Sequence, residues 1–147
     1  RKNRLKKFPP EIFKFTNLQY LDLSKNNIKE IPDEIGQLTN LQYFAIAKNG
    51  LEELPTQIGK LKNLVYFDAN NNDLTSLPFE IGKLEKLKVL DLWSNDIDRF
   101  PIEIKNLKNL TTLDLRVIMI PDAEQARVQA LLPHTKIYFS PYCKCAQ

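Results

Sequence analysis

Several groups of side chains in this sequence have types and spacings that could do chemistry. Tyr20, Tyr43 and Tyr66 recur at intervals of 23 residues, and the only tryptophan, Trp93, stands four positions after Val89, the next member of that series. Aromatic side chains in a regular exposed array bury large areas at little entropic cost, which makes them candidates for holding a protein partner. The ladder has a second reading, in which stacked rings simply steady neighbouring strands. Asp22, Asp68, Asp91 and Asp114 form a parallel series interrupted by Ala45, and Ser24, Ala47, Asn70, Trp93 and Arg116 form another. The carboxylates either pair with a basic partner or stand as solvated surface charge beside nearby lysines. The expected partner-binding set is therefore Tyr20, Asp22, Tyr43, Tyr66, Asp68, Asn70, Asp91, Trp93, Asp114 and Arg116.

Reactive chemistry is poorly provided for. The chain has one histidine, His134, and no Gly-rich phosphate loop. Carboxylates on an open sheet are not desolvated enough to set an acid apart from a base. No catalytic residue and no cofactor is expected, and the chain reads as non-enzymatic. Cys143 and Cys145, one lysine apart, with His134 lack the second ligand pair and the spacing of a zinc site. No metal is expected there; a local disulfide, an intermolecular one and inert tail thiols all stay open. Asn26, Asn49, Asn72 and Asn95 make a further column. An Asn amide can donate and accept at once, which suits satisfying the backbone of stacked turns better than binding a ligand.

What positions these residues is a repeat. The stretch from Leu18 to Asn40, LQYLDLSKNNIKEIPDEIGQLTN, matches itself when shifted by 23 positions. Leu18, Leu41, Leu64, Leu87 and Leu110 fall in one column, Pro32, Pro55, Pro78 and Pro101 in another, and Ile35, Ile58, Ile81 and Ile104 in a third. Self-similarity of this kind is the signature of a solenoid. Alternation in segments such as Leu41–Ile46 predicts short parallel strands near 19–23, 42–46, 65–69, 88–92 and 111–115, with Phe44 and Ile46 inward and Tyr43 and Ala45 outward. The second half of each repeat, with Ile58 three positions before Leu61, fits a short 3₁₀ turn, and the prolines fix φ where no ladder donor is needed. Gly36, Gly59 and Gly82 relax a turn in this reading, although Lys105 in their column argues against a required positive φ. Phe67 beside Ala69 reads as large next to small within one core layer.

The pattern stops at Ile118, where an Asn is expected. PDAEQARVQALLP follows, with Asp122 and Gln125 spaced as a capping box and Val128, Leu131 and Leu132 on one helical face. Thr135–Phe139 alternates as a strand with Ile137 and Phe139 inward, so helix plus strand make a C-terminal cap. Residues 1–17 read as a partial first repeat, 18–117 as full repeats and 118–147 as cap and tail, one domain in all. Because the chain begins inside a repeat, Leu5, Phe8, Ile12 and Phe15 are expected to lie uncovered, and a homo-oligomer formed through that end is one possible assembly. An export signal would lie upstream.

The consensus LxxLxLxxNxIxxIPxxIGxL resembles the leucine-rich repeat in its 23-residue form, and LPxxIGxLxNL is similar to runs in bacterial and Ras-suppressor-like members. The ending, an acidic short helix, LLP and KIYF, is most similar to leptospiral members. The resemblance implies an α/β solenoid of horseshoe form, with a parallel sheet on the concave face and short 3₁₀ or helical turns on the convex face. It also implies recognition of a protein partner through the concave face by a secreted or surface bacterial protein that meets a host. The alternatives are a cytoplasmic scaffold or regulatory protein, or a self-associating structural one. A net charge of +3 is too small to imply nucleic acid, and RKNRLKK reads as a solubilising turn. The longest apolar run, Val117–Ile120, falls far short of the roughly 18 residues of a spanning helix.

Overall fold

The structure, a computed structural model, describes residues 3–141; Arg1, Lys2, Cys143 and Cys145 lie outside the described residues. Six short strands, β1 (Tyr20–Asp22), β2 (Tyr43–Ala45), β3 (Tyr66–Asp68), β4 (Val89–Asp91), β5 (Thr112–Leu115) and β6 (Lys136–Phe139), form one sheet in sequence order. All neighbours are parallel. Tyr20 pairs with Tyr43, Tyr43 with Tyr66 and so on at the 23-residue offset, while the last step joins Thr112 to Lys136 at an offset of 24. Equal offsets place every repeat position beside its own equivalent, so a column in the sequence becomes a row across the sheet.

The chain returns from each strand through a five-residue 3₁₀ turn: Pro10–Lys14, Asp33–Gln37, Thr56–Lys60, Phe79–Lys83 and Ile102–Asn106. Each is preceded by a proline with φ between −65° and −70°. That proline's carbonyl accepts the N–H of the isoleucine three positions on, as in Ile35 to Pro32 at 3.0 Å. The residue needs no donor of its own and arrives with its φ already set. Ile35, Ile58, Ile81 and Ile104 meet the Leu columns in a continuous buried core. Phe67 does sit next to the fully buried Ala69, but its ring also stacks on Phe44 of the preceding coil at 5.4 Å, so the large residue is shared between two layers.

Two columns set the backbone path of each coil. Lys25, Lys48, Asn71, Ser94 and Val117, at the turn after each strand, take φ of 60°, 55°, 50°, 56° and 57°. The left-handed turn is therefore made by non-glycine residues, and Val117 is a β-branched residue where one is rarely tolerated. The glycines, by contrast, have no positive φ. Their role is close approach: a Cβ on Gly59 would stand 2.8 Å from the Glu80 carbonyl oxygen, and one on Gly82 would stand 2.5 Å from that of Glu103. At Gly36 the nearest atom is the Lys60 Cδ at 2.9 Å, the flexible part of a side chain. After Lys105, in the same column, the next coil carries a helix in place of a 3₁₀ turn.

That helix, α1 (Asp122–Leu131), together with β6 completes the expected cap, with Val128 and Leu132 buried and Leu131, Ile137 and Phe139 packed against the core. The expected capping box does not form. Pro121 occupies the N-cap and Asp122 falls inside the first turn, so the pair is one position out of register. The Gln125 side chain instead donates to the Ile120 carbonyl at 3.0 Å. Glu124 accepts the Phe100 N–H at 2.9 Å and Arg127 donates to the Phe100 carbonyl at 3.0 Å, which ties the helix to the last full repeat. In the first half-repeat Phe8 is buried and its ring stacks on Phe13 at 5.3 Å, while Leu5 and Ile12 are half-buried and Phe15 is exposed.

Because backbone cannot yield as a lysine side chain can, Gly82→Ala should destabilise the domain by about 1–3 kcal/mol. Gly36→Ala should stay within about 0.5 kcal/mol of the parent. Urea unfolding of the two variants measures both, and equal costs would rule out the close-approach account.

Candidate functional site

The outward-facing rows of the sheet bring the ten expected residues onto one concave face. In the first row Tyr20, Tyr43 and Tyr66 stack in turn, with ring centroids 4.3 and 4.7 Å apart and planes within 8°. The spacing follows from the register, since adjacent strands lie about 4.8 Å apart and identical residues face each other. Burial pushes the Tyr43 hydroxyl up to about 12, reinforced by its hydrogen bond with Tyr20. Burial and then Asp68 raise Tyr66 as well. Tyr20, the outermost ring of the stack, is 55% exposed.

The second row shows what the aspartates do. One oxygen of Asp22 accepts the Ser24 N–H at 2.9 Å, and Asp68, Asp91 and Asp114 accept those of Asn70, Trp93 and Arg116 at 3.0, 3.0 and 3.1 Å. Each carboxylate thus caps the backbone two residues on, as Asp side chains do in turns. Where the series is broken by Ala45, the corresponding N–H of Ala47 is taken by the Ser24 hydroxyl from the coil before, at 3.2 Å. The substitution is compensated across the coil boundary. Asp68 is pushed up to about 6 by burial, against the pull of its Asn70 bond, with Asp91 and Asp22 adding like charge.

In the third row Asn70 donates to Asp91 at 3.1 Å and accepts from Asn71 at 3.0 Å, which links β3 to β4 beside the half-buried Trp93. Arg116 forks onto both oxygens of Asp114 at 3.0, 3.2 and 2.6 Å. Two residues of this face were not in the expected set. Lys136 and Tyr138 on β6 point outward, and Lys136 Nζ and the Arg116 guanidinium lie 4.9 and 5.5 Å from the Tyr138 ring centre. The signal was present, because Ile137 and Phe139 inward requires Lys136 and Tyr138 outward.

The Asn column lies behind the sheet. Asn72 Oδ1 accepts the Leu51 N–H at 3.1 Å, and its Nδ2 faces the carbonyls of Ile46, Ala69 and Asn70 at 3.1, 3.0 and 3.2 Å. Asn49 and Asn95 repeat this one coil before and after, and Asn26 takes the N–H groups of Asn3 and Leu5. A second Asn ladder, missed in the sequence, runs down the other edge. Asn40, Asn63 and Asn109 donate to the carbonyls of Thr16, Thr39 and Glu85 at 3.0, 2.9 and 2.6 Å. Lys86 fills the gap by donating to Asn63 at 2.8 Å. Its period of 23 was readable in TNL and KNL.

A hollow of about 520 Å³ opens at the first half-repeat between Lys6, Lys7, Phe8, Asn27, Lys29, Glu30 and Pro32, away from these rows. His134 is exposed, and among the described residues no group of three or more His, Cys, Asp or Glu side chains is placed to hold a metal. No helix among them is long and apolar enough to cross a membrane.

A family model of the leucine-rich repeat region matches residues 6–132. Among solved structures, a leucine-rich-repeat protein of Leptospira interrogans is 37% identical with a TM-score of 0.71, over 92% of this chain and 41% of that one. The chain therefore spans less than half the length of that protein. The ectodomain of the Arabidopsis thaliana membrane receptor kinase GASSHO1/SCHENGEN3, in complex with CASPARIAN STRIP INTEGRITY FACTOR 2, is 31% identical with a TM-score of 0.71, over 78% of this chain and 14% of that one. The plant peptide hormone receptor RGFR1 in complex with RGF2 is 33% identical with a TM-score of 0.76, over 91% and 22%. No curated protein matches the chain.

The raised carboxyl of Asp68 has a consequence for stability. Its folded pKa, about 6, lies above the ordinary Asp value of about 3.9 in the unfolded chain. The folded state holds the proton more tightly, so the stability Asp68 contributes is present below about pH 4 and is lost as pH rises through about 6. Asp68→Asn keeps an oxygen for the Asn70 N–H and removes the charge. Its unfolding midpoint should fall less than the parent's between pH 4 and 7; parallel curves by thermal unfolding would refute this.

Proposed function

The chain belongs to the leucine-rich-repeat family, and from that membership we propose that it is a non-enzymatic recognition module holding a protein partner on its concave sheet. The observation that carries the reading is the surface itself. Three stacked tyrosines, Trp93 and a row of aspartates occupy an open parallel sheet, with side chains already fixed by neighbouring coils. Preorganised aromatic groups lose little freedom on binding, and that is where interfaces concentrate their energy. The two plant receptors similar to this chain are each in complex with a partner, which supports the reading. The likeness to a leptospiral protein supports a bacterial protein, and we propose that it is secreted or on the cell surface and meets a host protein.

The test is capture by the purified domain from host serum and matrix proteins, in parallel with bacterial lysate. Tyr43→Ala, Tyr66→Ala and Trp93→Ala should each weaken a captured partner by about 1–3 kcal/mol while the domain stays folded. Lys60→Glu on the convex side should leave binding unchanged. Equal loss from the convex change would sink the assignment to the concave face, and a partner found only in bacterial lysate would exclude the host.

A further inference from the structure

The two edges of the coils, on either side of the sheet, carry opposite charge. One edge leaves the sheet, from the left-handed turn after each strand to the proline of the same coil. Glu52 and Glu53 stand there after β2, Asp73 after β3, and Asp96 and Asp98 after β4. The other edge runs from the last residues of the 3₁₀ turn back to the next strand. It carries Lys60 and Lys62 before β3, Lys83, Lys86 and Lys88 before β4, and Lys105 and Lys108 before β5. All of these residues are exposed. Charges of the opposite sign are few: Lys48 and Arg99 on the first edge and Glu85 on the second, with Glu80 and Glu103 half-buried on the convex turns between them. Among the described residues the ion pairs are Arg116 with Asp114 and Arg127 with Glu124, so neither edge is neutralised within the chain. Lys62 and Lys86 donate to the Lys83 carbonyl and to the Asn63 side-chain oxygen at 3.2 and 2.8 Å, and both of these acceptors are neutral.

The fold does not require this segregation, and a surface that serves only solubility does so with both signs interspersed. Each of three successive coils bears carboxylates on one edge and lysines on the other. The register of the sheet holds equivalent positions level, so the two edges run past the same three coils. A copy moved sideways along the strand direction, without rotation, brings its lysine edge against the carboxylate edge of the first. Coil then meets coil at the shared pitch of about 4.8 Å. We infer that the partner of these edges is a second copy of the chain, held side by side by the lysines of one and the carboxylates of the other. The contact is heterologous, so it leaves one free edge of each sign and can repeat. A polyanion would answer the lysines and leave the carboxylates unmatched, whereas a second copy answers both. Exposed ion pairs are individually weak and are screened by salt, so the association rests on their number and on the coil-by-coil match. The concave face takes no part in the contact. Copies joined in this way present their concave faces in line, and the recognition reading stands whether or not they join.

The test is sedimentation of the purified chain over a concentration series at about 0.01 M salt, where the screening length is about 30 Å, and at about 1 M, where it is about 3 Å. The chain should associate at low salt, with an affinity that falls at least about tenfold at high salt. One variant reverses the basic edge (Lys88→Glu, Lys105→Glu and Lys108→Glu), and another the acidic edge (Asp73→Lys, Asp96→Lys and Asp98→Lys). Each alone should stay monomeric at low salt. An equal mixture should associate again, because the first keeps its carboxylate edge and the second its lysine edge; circular dichroism shows that both are folded. Amide shifts of the isotope-labelled parent over the same series need no variant, and they should fall on both edges while the concave strands stay still. A parent that remains monomeric at millimolar concentration and low salt would overturn the inference, and so would association that survives either reversal or folded variants whose mixture stays monomeric. Shifts on the concave strands or the first half-repeat would move the contact elsewhere. A monomeric parent whose lysine edge alone responds to a sulfated oligosaccharide would overturn it in favour of a polyanion.

Discussion

Every coil of this chain turns away from the sheet with backbone groups that must find partners inside the protein, and the column Asn26, Asn49, Asn72 and Asn95 supplies them. A buried N–H or C=O left unpaired costs about 1–3 kcal/mol, and each of these amides serves groups in its own coil and in the coil before it. Asn72 accepts one N–H and faces three carbonyls. An aspartate could not donate, and an alanine could do neither. The period of 23 follows from this constraint as much as from the leucines, because shifting one coil by a residue would separate every amide from its partners. Stability is then shared between neighbours, as in any stacked repeat.

From that registration comes the concave face. Once the coils are held in step, tyrosines at equivalent positions must stack and aspartates at equivalent positions must line up. The sheet converts a sequence column into a row of like groups whether or not that is favourable. The protein handles the like charges by using each aspartate as a cap on the backbone two residues on, and by burying Asp68 enough to lift its carboxyl to about 6. Ser24 shows how tightly this is kept: the one coil without the aspartate borrows a hydroxyl from the coil before.

The repeat, the inward columns, the order of strands and the cap were legible in the sequence because each is a pattern of residue type along one dimension. The roles that were misread depend on distance between coils. Gly59 and Gly82 look like turn residues, yet what excludes a side chain there is the carbonyl of Glu80 or Glu103 in the next coil. Asp122 and Gln125 have the spacing of a capping box, and Pro121 shifts the helix start by one position and dissolves it. Lys136 and Tyr138 were overlooked for another reason. The cap repeat is one residue longer than the others, so counting by 23 lands beside them, and it is the alternation with Ile137 and Phe139, matched by the register with Thr112 and Asp114, that puts them on the face.

The stacked rings also limit how the face can work. Tyr43 has a ring on each side, at 4.3 and 4.7 Å, so neither of its faces is open to a partner. What it offers is an edge and a hydroxyl that burial and its hydrogen bond with Tyr20 keep protonated well beyond neutral pH. The open aromatic surface lies instead at Tyr20, where the stack ends, and at Trp93, which stands apart from it. The two readings of the ladder, strand support and recognition, therefore fall on different atoms of the same residues. The ring faces are spent on holding neighbouring strands together. The edges and hydroxyls, lined up at the strand spacing, are what a partner would meet.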